Sequence, residues 1–298
     1  MHPSHGFVAA LLALSASASL AVGCGGSSSR TGFEETPSTP APGDTPAPTP
    51  SGDFDTKPPP TPDAPPEVNE VYGHSATTLY RLDPKTKAVT EVGRFDGCGS
   101  VIDIALDEKS TLVAANYDAL YTVDKATAKC TEIGRGSYPN SLSFVPKGTL
   151  DPNEEALVGY DDASYVRIDL KTGGKTVLGS LGGGLKSSGD IVSVKGGKTF
   201  LTVKGGTKCS TNDCLVEVDP KTGKILFDWG SIEHKNVFGL SFWGGKLYGF
   251  DESGVLFEVT FGTKQVATNN IPMPGKPSDL SFWGAGSSTS APLVEKPQ

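Results

Sequence analysis

Histidine is scarce in this 298-residue chain: there are four, and two of them, His2 and His5, fall in the first five residues. Only His74 and His234 remain for imidazole chemistry, too few for a histidine-rich metal centre. No H-E-x-x-H and no G-x-S-x-G elbow occurs. Gly182-Gly183-Gly184-Leu185-Lys186 is glycine-rich but lacks phosphate-loop spacing, and reads as a flexible crossing. A basic excess is also missing. The formal charge of −8 argues against non-specific nucleic-acid binding. The first 23 residues carry no Lys, Arg, Asp or Glu, yet their apolar run, Phe7 to Val22, is too short and too rich in small residues for a spanning helix. Residues 1–23 therefore read as a cleaved export signal.

That run ends Leu20-Ala21-Val22-Gly23-Cys24. It resembles the lipobox of bacterial lipoproteins, with Cys24 as the lipidated residue that becomes the new N-terminus. The family prefers Leu where Ala21 stands, and Leu20 sits one place earlier. Gly25-Gly26, with no Asp after the cysteine, resembles lipoproteins sorted to the outer membrane. The resemblance implies a lipid-anchored protein of the bacterial cell envelope. Residues 24–66 follow as a stalk: 12 of the 23 prolines lie between Pro37 and Pro66, among Ser, Thr and Gly. Such a segment buries too little apolar surface to offset its chain entropy. In polyproline geometry it reaches on the order of 100 Å.

The rest, residues 67–284 with a flexible tail at 285–298, is organised by repetition. LYRLD (79–83), LYTVD (120–124), YVRID (165–169), LVEVD (215–219) and LFEVT (256–260) recur. Each closes on Asp83, Asp124, Asp169 or Asp219, with Thr260 in the fifth copy. Each copy holds four strand-like pieces between turn residues, the signature of a β-propeller. The innermost pieces are Val101–Leu106, Asn140–Val145, Gly189–Val194, Val237–Trp243 and Ser278–Trp283. The last of these completes the first blade and closes a ring of five. Six blades is the rival count, if residues 181–213 hide another blade.

LYRLDPKTKAVTEVG and LVEVDPKTGKILFDW resemble the blades of bacterial quinoprotein-like and surface-layer-type propeller repeats. The resemblance covers residues 70–283 and implies an all-β, five-bladed propeller. It implies no activity, since these blades serve many functions, and no residues match a quinone site.

In this strand order the turns sort by charge. The turns after the second strands carry His74, Asp118, Asp161, Asp162, Asp251 and Glu252, giving an acidic top face. The turns before the outermost strands carry Lys85, Lys87, Lys125, Lys171, Lys221 and Lys224, giving a basic lower rim. Aligning the inner strands puts Asp103, Ser141, Asp190, Gly239 and Asp279 in one column at the channel mouth. Two readings of this column are open. Its carboxylates hold Ca²⁺, a hard ion that takes six to eight oxygens, or they cap loop amides and tie blade to blade.

Of the four cysteines after Cys24, Cys209 and Cys214 bracket one hairpin and are expected to pair. Export favours a Cys98–Cys130 disulfide as well. Its two ends belong to different levels of the ring, so that pairing stays open. Trp243 and Trp283, at matching places, read as packing between blades.

Two functions compete. One is a non-catalytic binding or scaffold module: a monomeric propeller held to the membrane by lipid, meeting a protein or small ligand on the acidic face. The other is a glycosidase-like hydrolase using the channel-mouth carboxylates. Against it, the long insertions that build a cleft are missing. The EGLT-like segment of propeller glutaminyl cyclases is also absent.

Overall fold

The computed structural model describes residues 70–295. The expected signal, Cys24 and the stalk lie outside the described residues. Five sheets of four antiparallel strands form the ring. Blade one pairs β20 (Gly284–Ser287) with β1 (Val71–His74), β2 (Thr78–Leu82) and β3 (Val89–Arg94). Blade two is β4 (Asp103–Leu106), β5 (Leu112–Ala115), β6 (Ala119–Val123) and β7 (Cys130–Arg135). Blade three is β8 (Leu142–Val145), β9 (Ala156–Asp161), β10 (Ser164–Ile168) and β11 (Lys175–Ser180). Blade four is β12 (Leu185–Ser193), β13 (Thr199–Gly205), β14 (Cys209–Val218) and β15 (Ile225–Ser231). Blade five is β16 (Val237–Trp243), β17 (Lys246–Asp251), β18 (Leu256–Phe261) and β19 (Val266–Ile271).

The inner three strands of each blade are almost wholly buried, because each is covered by a blade on either side. The outer strands mix exposed and half-buried residues, which alternate along most of β15. Apolar side chains pack between neighbouring blades. Ile104 and Leu106 of blade two join Tyr72 and Leu79 of blade one, and Val158 and Tyr165 of blade three join Leu201 and Val216 of blade four. The inner strands β20, β4, β8, β12 and β16 are left as short edges gathered around the channel.

The recurring Asp has a local job. Asp83, Asp124 and Asp169 each accept the backbone N–H groups two and three residues ahead, at 2.8–3.0 Å. Asp219 accepts Lys221 N–H at 2.9 Å. The fourth residue on then donates to the Asp carbonyl and turns left-handed: Lys87, Ala128, Gly173 and Gly223 have φ of 62°, 57°, 72° and 69°. Glycine suits that position, and two of the four copies use it. The turns also carry the ring's lateral bonds. Tyr138 Oη donates to Gly173 O at 3.0 Å, Tyr160 Oη to Gly223 O at 2.7 Å and Tyr165 Oη to Pro220 O at 2.8 Å.

Residues 181–213 hold no sixth blade. They lengthen blade four, with a register shift in β12 between Ser187 and Ile191 and a tall β13–β14 hairpin.

The ring closes later than expected. Ser278–Trp283 is not a strand; it lies in the loop that leads to β20. The expected tail begins inside β20, and its next residues cross the lower end of the channel. Ser288 Oγ donates to Asp107 O at 2.7 Å and Ser290 Oγ to Glu108 O at 3.0 Å, both on blade two. Thr289 Oγ1 donates to Glu155 of blade three. Lys195 N–H of blade four donates to Thr289 O at 2.8 Å, and Gly245 N–H of blade five to Pro292 O at 3.3 Å. This strap is buried: Ser288 is 0% and Thr289 1% exposed. The structured ring therefore runs past residue 284, and residues 285–292 belong to it.

Candidate functional site

The upper end of the channel gathers the buried polar groups of the inner strands. β20 and β4 begin there, β8 begins just beyond it, and β12 and β16 pass through it. Register fixes the column: Gly284 faces His74, Asp103 faces Ala115 and Gly239 faces Phe250 across their sheets. The column is thus Gly284, Asp103, Ser141, Asp190 and Gly239. Four members stand where the sequence puts them. Asp279 does not belong to it: it is exposed in the loop before β20, and Gly284 holds the fifth place.

Asp103 and Asp190 are fully buried. Asp103 Oδ1 accepts Ile104 N–H at 2.8 Å, and Oδ2 accepts Leu142 N–H of blade three at 2.5 Å. Asp190 repeats the pattern, taking Ile191 N–H at 2.6 Å and Leu240 N–H of blade five. The two carboxyls stand close enough to influence each other's ionisation. Burial pushes both well above the ordinary carboxylate range; the Asp190 charge raises Asp103 further, while the amides of Leu240 and Ile191 partly offset the rise at Asp190. They titrate as a pair rather than as two separate groups. Ser141 Oγ accepts Tyr160 N–H at 2.9 Å and ties strands within blade three.

His74 is the residue that sequence reasoning misplaced. It was expected on the acidic face, but it is 0% exposed, because it ends β1 beneath the β20 pairing. Its Nδ1 lies 2.9 Å from Ser75 O and so carries the proton. Its Nε2 is buried without a partner among the described residues. Burial lowers its pKa to about 4. A Cβ on Gly284 would overlap both His74 Nε2 and Asp103 Oδ1. That convergence explains glycine at the fifth place. Aligning LSFWG at 280–284 with LSFWG at 240–244 hid it.

The Ca²⁺ reading loses one carboxylate with Asp279. Among the described residues, no three His, Cys, Asp or Glu side chains are grouped to hold a metal ion.

The expected acidic face is thinner than its residue count. His74 and Asp251 are buried. Asp161 pairs with Lys175 at 3.1 Å and Asp162 with Lys186 at 3.2 Å. Glu252 accepts Asn236 Nδ2 at 2.6 Å, and Asp118 is exposed. Asp251 instead binds His234 Nδ1 at 2.8 Å, while the His234 ring stacks on Phe257 with centroids 3.9 Å apart. Burial alone would raise the Asp251 carboxyl; the bonds from His234, Ser253 and Val255 bring it below its usual value. On the lower rim, Lys87 is half-buried against Tyr248, and Lys125 is bonded to Glu70. Both lysines are spent on contacts between blades.

Both disulfides are present. Cys209 and Cys214 staple the tall hairpin, with Cα atoms 5.5 Å apart. Cys98 and Cys130 join blades one and two, with Cα atoms 5.7 Å apart. They meet because the segment leaving β3 runs alongside the next blade's turn: Asp96 pairs in parallel with Lys129. Trp243 is buried, as packing requires, whereas Trp283 is 36% exposed in the loop before β20.

No family model matches this chain, and no curated protein matches it. Solved structures do resemble it at a distance. One is a protein of unknown function from Bacteroides caccae, 11% identical, with a TM-score of 0.40 over 73% of this chain and 97% of that one. A chain of a nidogen/laminin complex is 13% identical, with a TM-score of 0.45 over 73% of this chain and 97% of that one. The β-propeller domain of Myceliophteria thermophila Cps50 (Swd1) is 12% identical, with a TM-score of 0.39 over 72% of this chain and 67% of that one. Similarity this distant assigns the chain no activity, ligand or partner.

Proposed function

We propose that this protein is a non-catalytic binding or scaffold module of the bacterial cell envelope: a five-bladed propeller on a stalk, lipid-anchored at Cys24 and presenting its top loops to a partner. The observation that carries the reading is the fate of the channel-mouth carboxyls. Asp103 and Asp190 have no solvent exposure, and their oxygens tie blade two to three and blade four to five. A retaining glycosidase holds its two carboxyls about 5 Å apart and an inverting one about 6.5–9.5 Å apart, with sugar or water between. Here both are fully buried and bonded to backbone amides inside a closed core. The remaining surface for recognition on top is the exposed loop set around Asp118 and Glu252. Two disulfides fit an oxidising compartment and support the exported address.

The reading is tested in cells with a photo-crosslinking residue at Asp118 or Glu252, and at Lys221 on the lower rim as control. A discrete crosslinked species from the top positions alone is expected. Equal crosslinking from all three, or none from the top, counts against a top-face partner. Separately, Cys24→Ser is expected to lose incorporation of an alkyne-labelled fatty acid and to leave the membrane fraction; unchanged labelling rejects the anchor.

A further inference from the structure

One junction of the ring departs from the other described junctions. Gly93, Gly134, Gly179 and Gly230 occupy equivalent places in the outer strands, facing Leu79, Leu120, Tyr165 and Leu215 across register shifts. At the first three, the carbonyl of Thr127, Thr172 or Thr222, in the next blade's turn, approaches the glycine. Nothing approaches Gly230 in this way. The cause is in the fifth copy of the repeat. It has Thr260 where the others have the turn-capping Asp, so β18 continues to Phe261. The chain then reverses in a tight turn with Gly262 N–H on Gln265 O at 2.8 Å. The turn that fills the other junctions is missing from this one.

The space left is a cavity of about 320 Å³ on the side wall between blades four and five. Its aromatic wall is Trp229. That ring is held by Phe227, with centroids 4.4 Å apart, and by Phe261, edge-to-face at 4.9 Å. Phe261 remains 36% exposed. The rim carries both signs of charge and an amide: Lys208, Asp228, Glu233, Lys264 and Gln265. Lys208 and Asp228 are 3.5 Å apart and exposed.

We infer that this groove is a binding subsite for a neutral saccharide. A ligand of one charge would meet a like charge on either side. Hydroxyl groups, in contrast, donate to Asp228 and Glu233 and accept from Lys208 and Lys264 in the same pose. Trp229 Nε1 is buried and Lys198 Nζ stands 5.5 Å from the ring centroid, so the apolar face of a pyranose ring is matched by the half-exposed aromatic surface that Trp229 and Phe261 form together. The groove lies beside the tall β13–β14 hairpin, which supplies Lys208, and its occupancy is read at Trp229, separately from the crosslinks at Asp118 and Glu252.

The test uses the full-length protein in detergent, labelled with ¹⁵N at the tryptophan indoles, with the Trp229 signal assigned by Trp229→Phe. Cellohexaose, maltohexaose, mannohexaose and chitohexaose are titrated in turn, with hexagalacturonate as the charged comparison. At least one neutral hexaose is expected to shift the Trp229 signal saturably and leave Trp243 and Trp283 unmoved. Phe261→Ala and Gln265→Ala, both at the surface, are expected to weaken that binding at least about tenfold. The inference is overturned if no neutral hexaose moves Trp229 at about 10 mM, a weak limit for a specific site. It is equally overturned if the shift survives both substitutions, or if hexagalacturonate binds more tightly than every neutral probe. None of these outcomes touches the top-face crosslinks.

Discussion

Asp103 accepts the amide of Leu142, the first residue of the next blade's inner strand, at 2.5 Å. Asp190 does the same for Leu240 two blades further round. These carboxyls are joints between blades. Replacing Asp190 by Ala leaves the amides of Ile191 and Leu240 buried and unpaired, at about 1–3 kcal/mol each. Urea unfolding is expected to show a loss of about 3 kcal/mol or more. A loss below about 1 kcal/mol would mean the joint contributes little.

The same pair sets a pH dependence. Both carboxyls titrate above their ordinary value of 3.8 in the fold. The fold therefore keeps protons that the unfolded chain has released. This contribution is complete below the unfolded value and is lost as pH rises through the folded values. As pH rises above 3.8, Asp190→Asn, which cannot ionise at this position, is expected to lose less stability than the wild type. Parallel curves would contradict the raised pair.

His74 works in the opposite direction. Its folded pKa of about 4 lies below the ordinary 6.5. Stability from its neutral ring is complete above 6.5 and is lost as pH falls through about 4, by about 3 kcal/mol in total. Blade five carries Phe250 at the corresponding place, facing Gly239 as His74 faces Gly284. His74→Phe is accordingly expected to fold and to flatten the acid limb of the stability curve. An unchanged acid limb would show that the ring does not titrate with unfolding.

How much of this the sequence displays depends on what each residue does locally. The repeating Asp is visible because a turn with a left-handed fourth residue needs its amides capped, and that need recurs in four copies. The inner column is visible through four members because hydrophobic residues flank them in register. The fifth is invisible. β20 reads Gly-Ala-Gly-Ser, with no apolar signal, because it lies at the crowded axis where a Cβ on Gly286 would meet Leu106. The second LSFWG copy, at 280–284, imitates the inner strand of blade five closely enough to draw the alignment five residues too early. The strap hides for a related reason: it holds to the ring through hydroxyls, and a run of Ser and Thr looks like solvent-exposed tail.

Ending the chain after Ser287 keeps β20 but removes the strap. Its bonds to blades two to five are worth about 1 kcal/mol each. The truncated protein is expected to remain folded and to lose about 5 kcal/mol, read by urea unfolding. Ending it after Glu295 is expected to change nothing. Equal stability of the two truncations would show that the strap is not part of the ring.

The disulfides are expected to differ in weight. Cys98–Cys130 closes a separation of 32 residues and Cys209–Cys214 one of 5. In the chain-entropy account these correspond to about 4 and about 2 kcal/mol. Cys98→Ser with Cys130→Ser should therefore destabilise more than Cys209→Ser with Cys214→Ser. The reverse order would place the strength of the second pair in the top hairpin itself.

The central claim is that the channel mouth is a structural joint and that recognition happens on the surface. Its most direct test is a thermal melt of the full chain and of Asp190→Asn, first with EDTA and then with excess Ca²⁺. The account predicts a less stable variant and no calcium-dependent shift in either protein. A site filled at about 100 times its dissociation constant would add ~2.7 kcal/mol. A rise of that order in the wild type, lost in Asp190→Asn, would make the mouth a cation site and contradict the account.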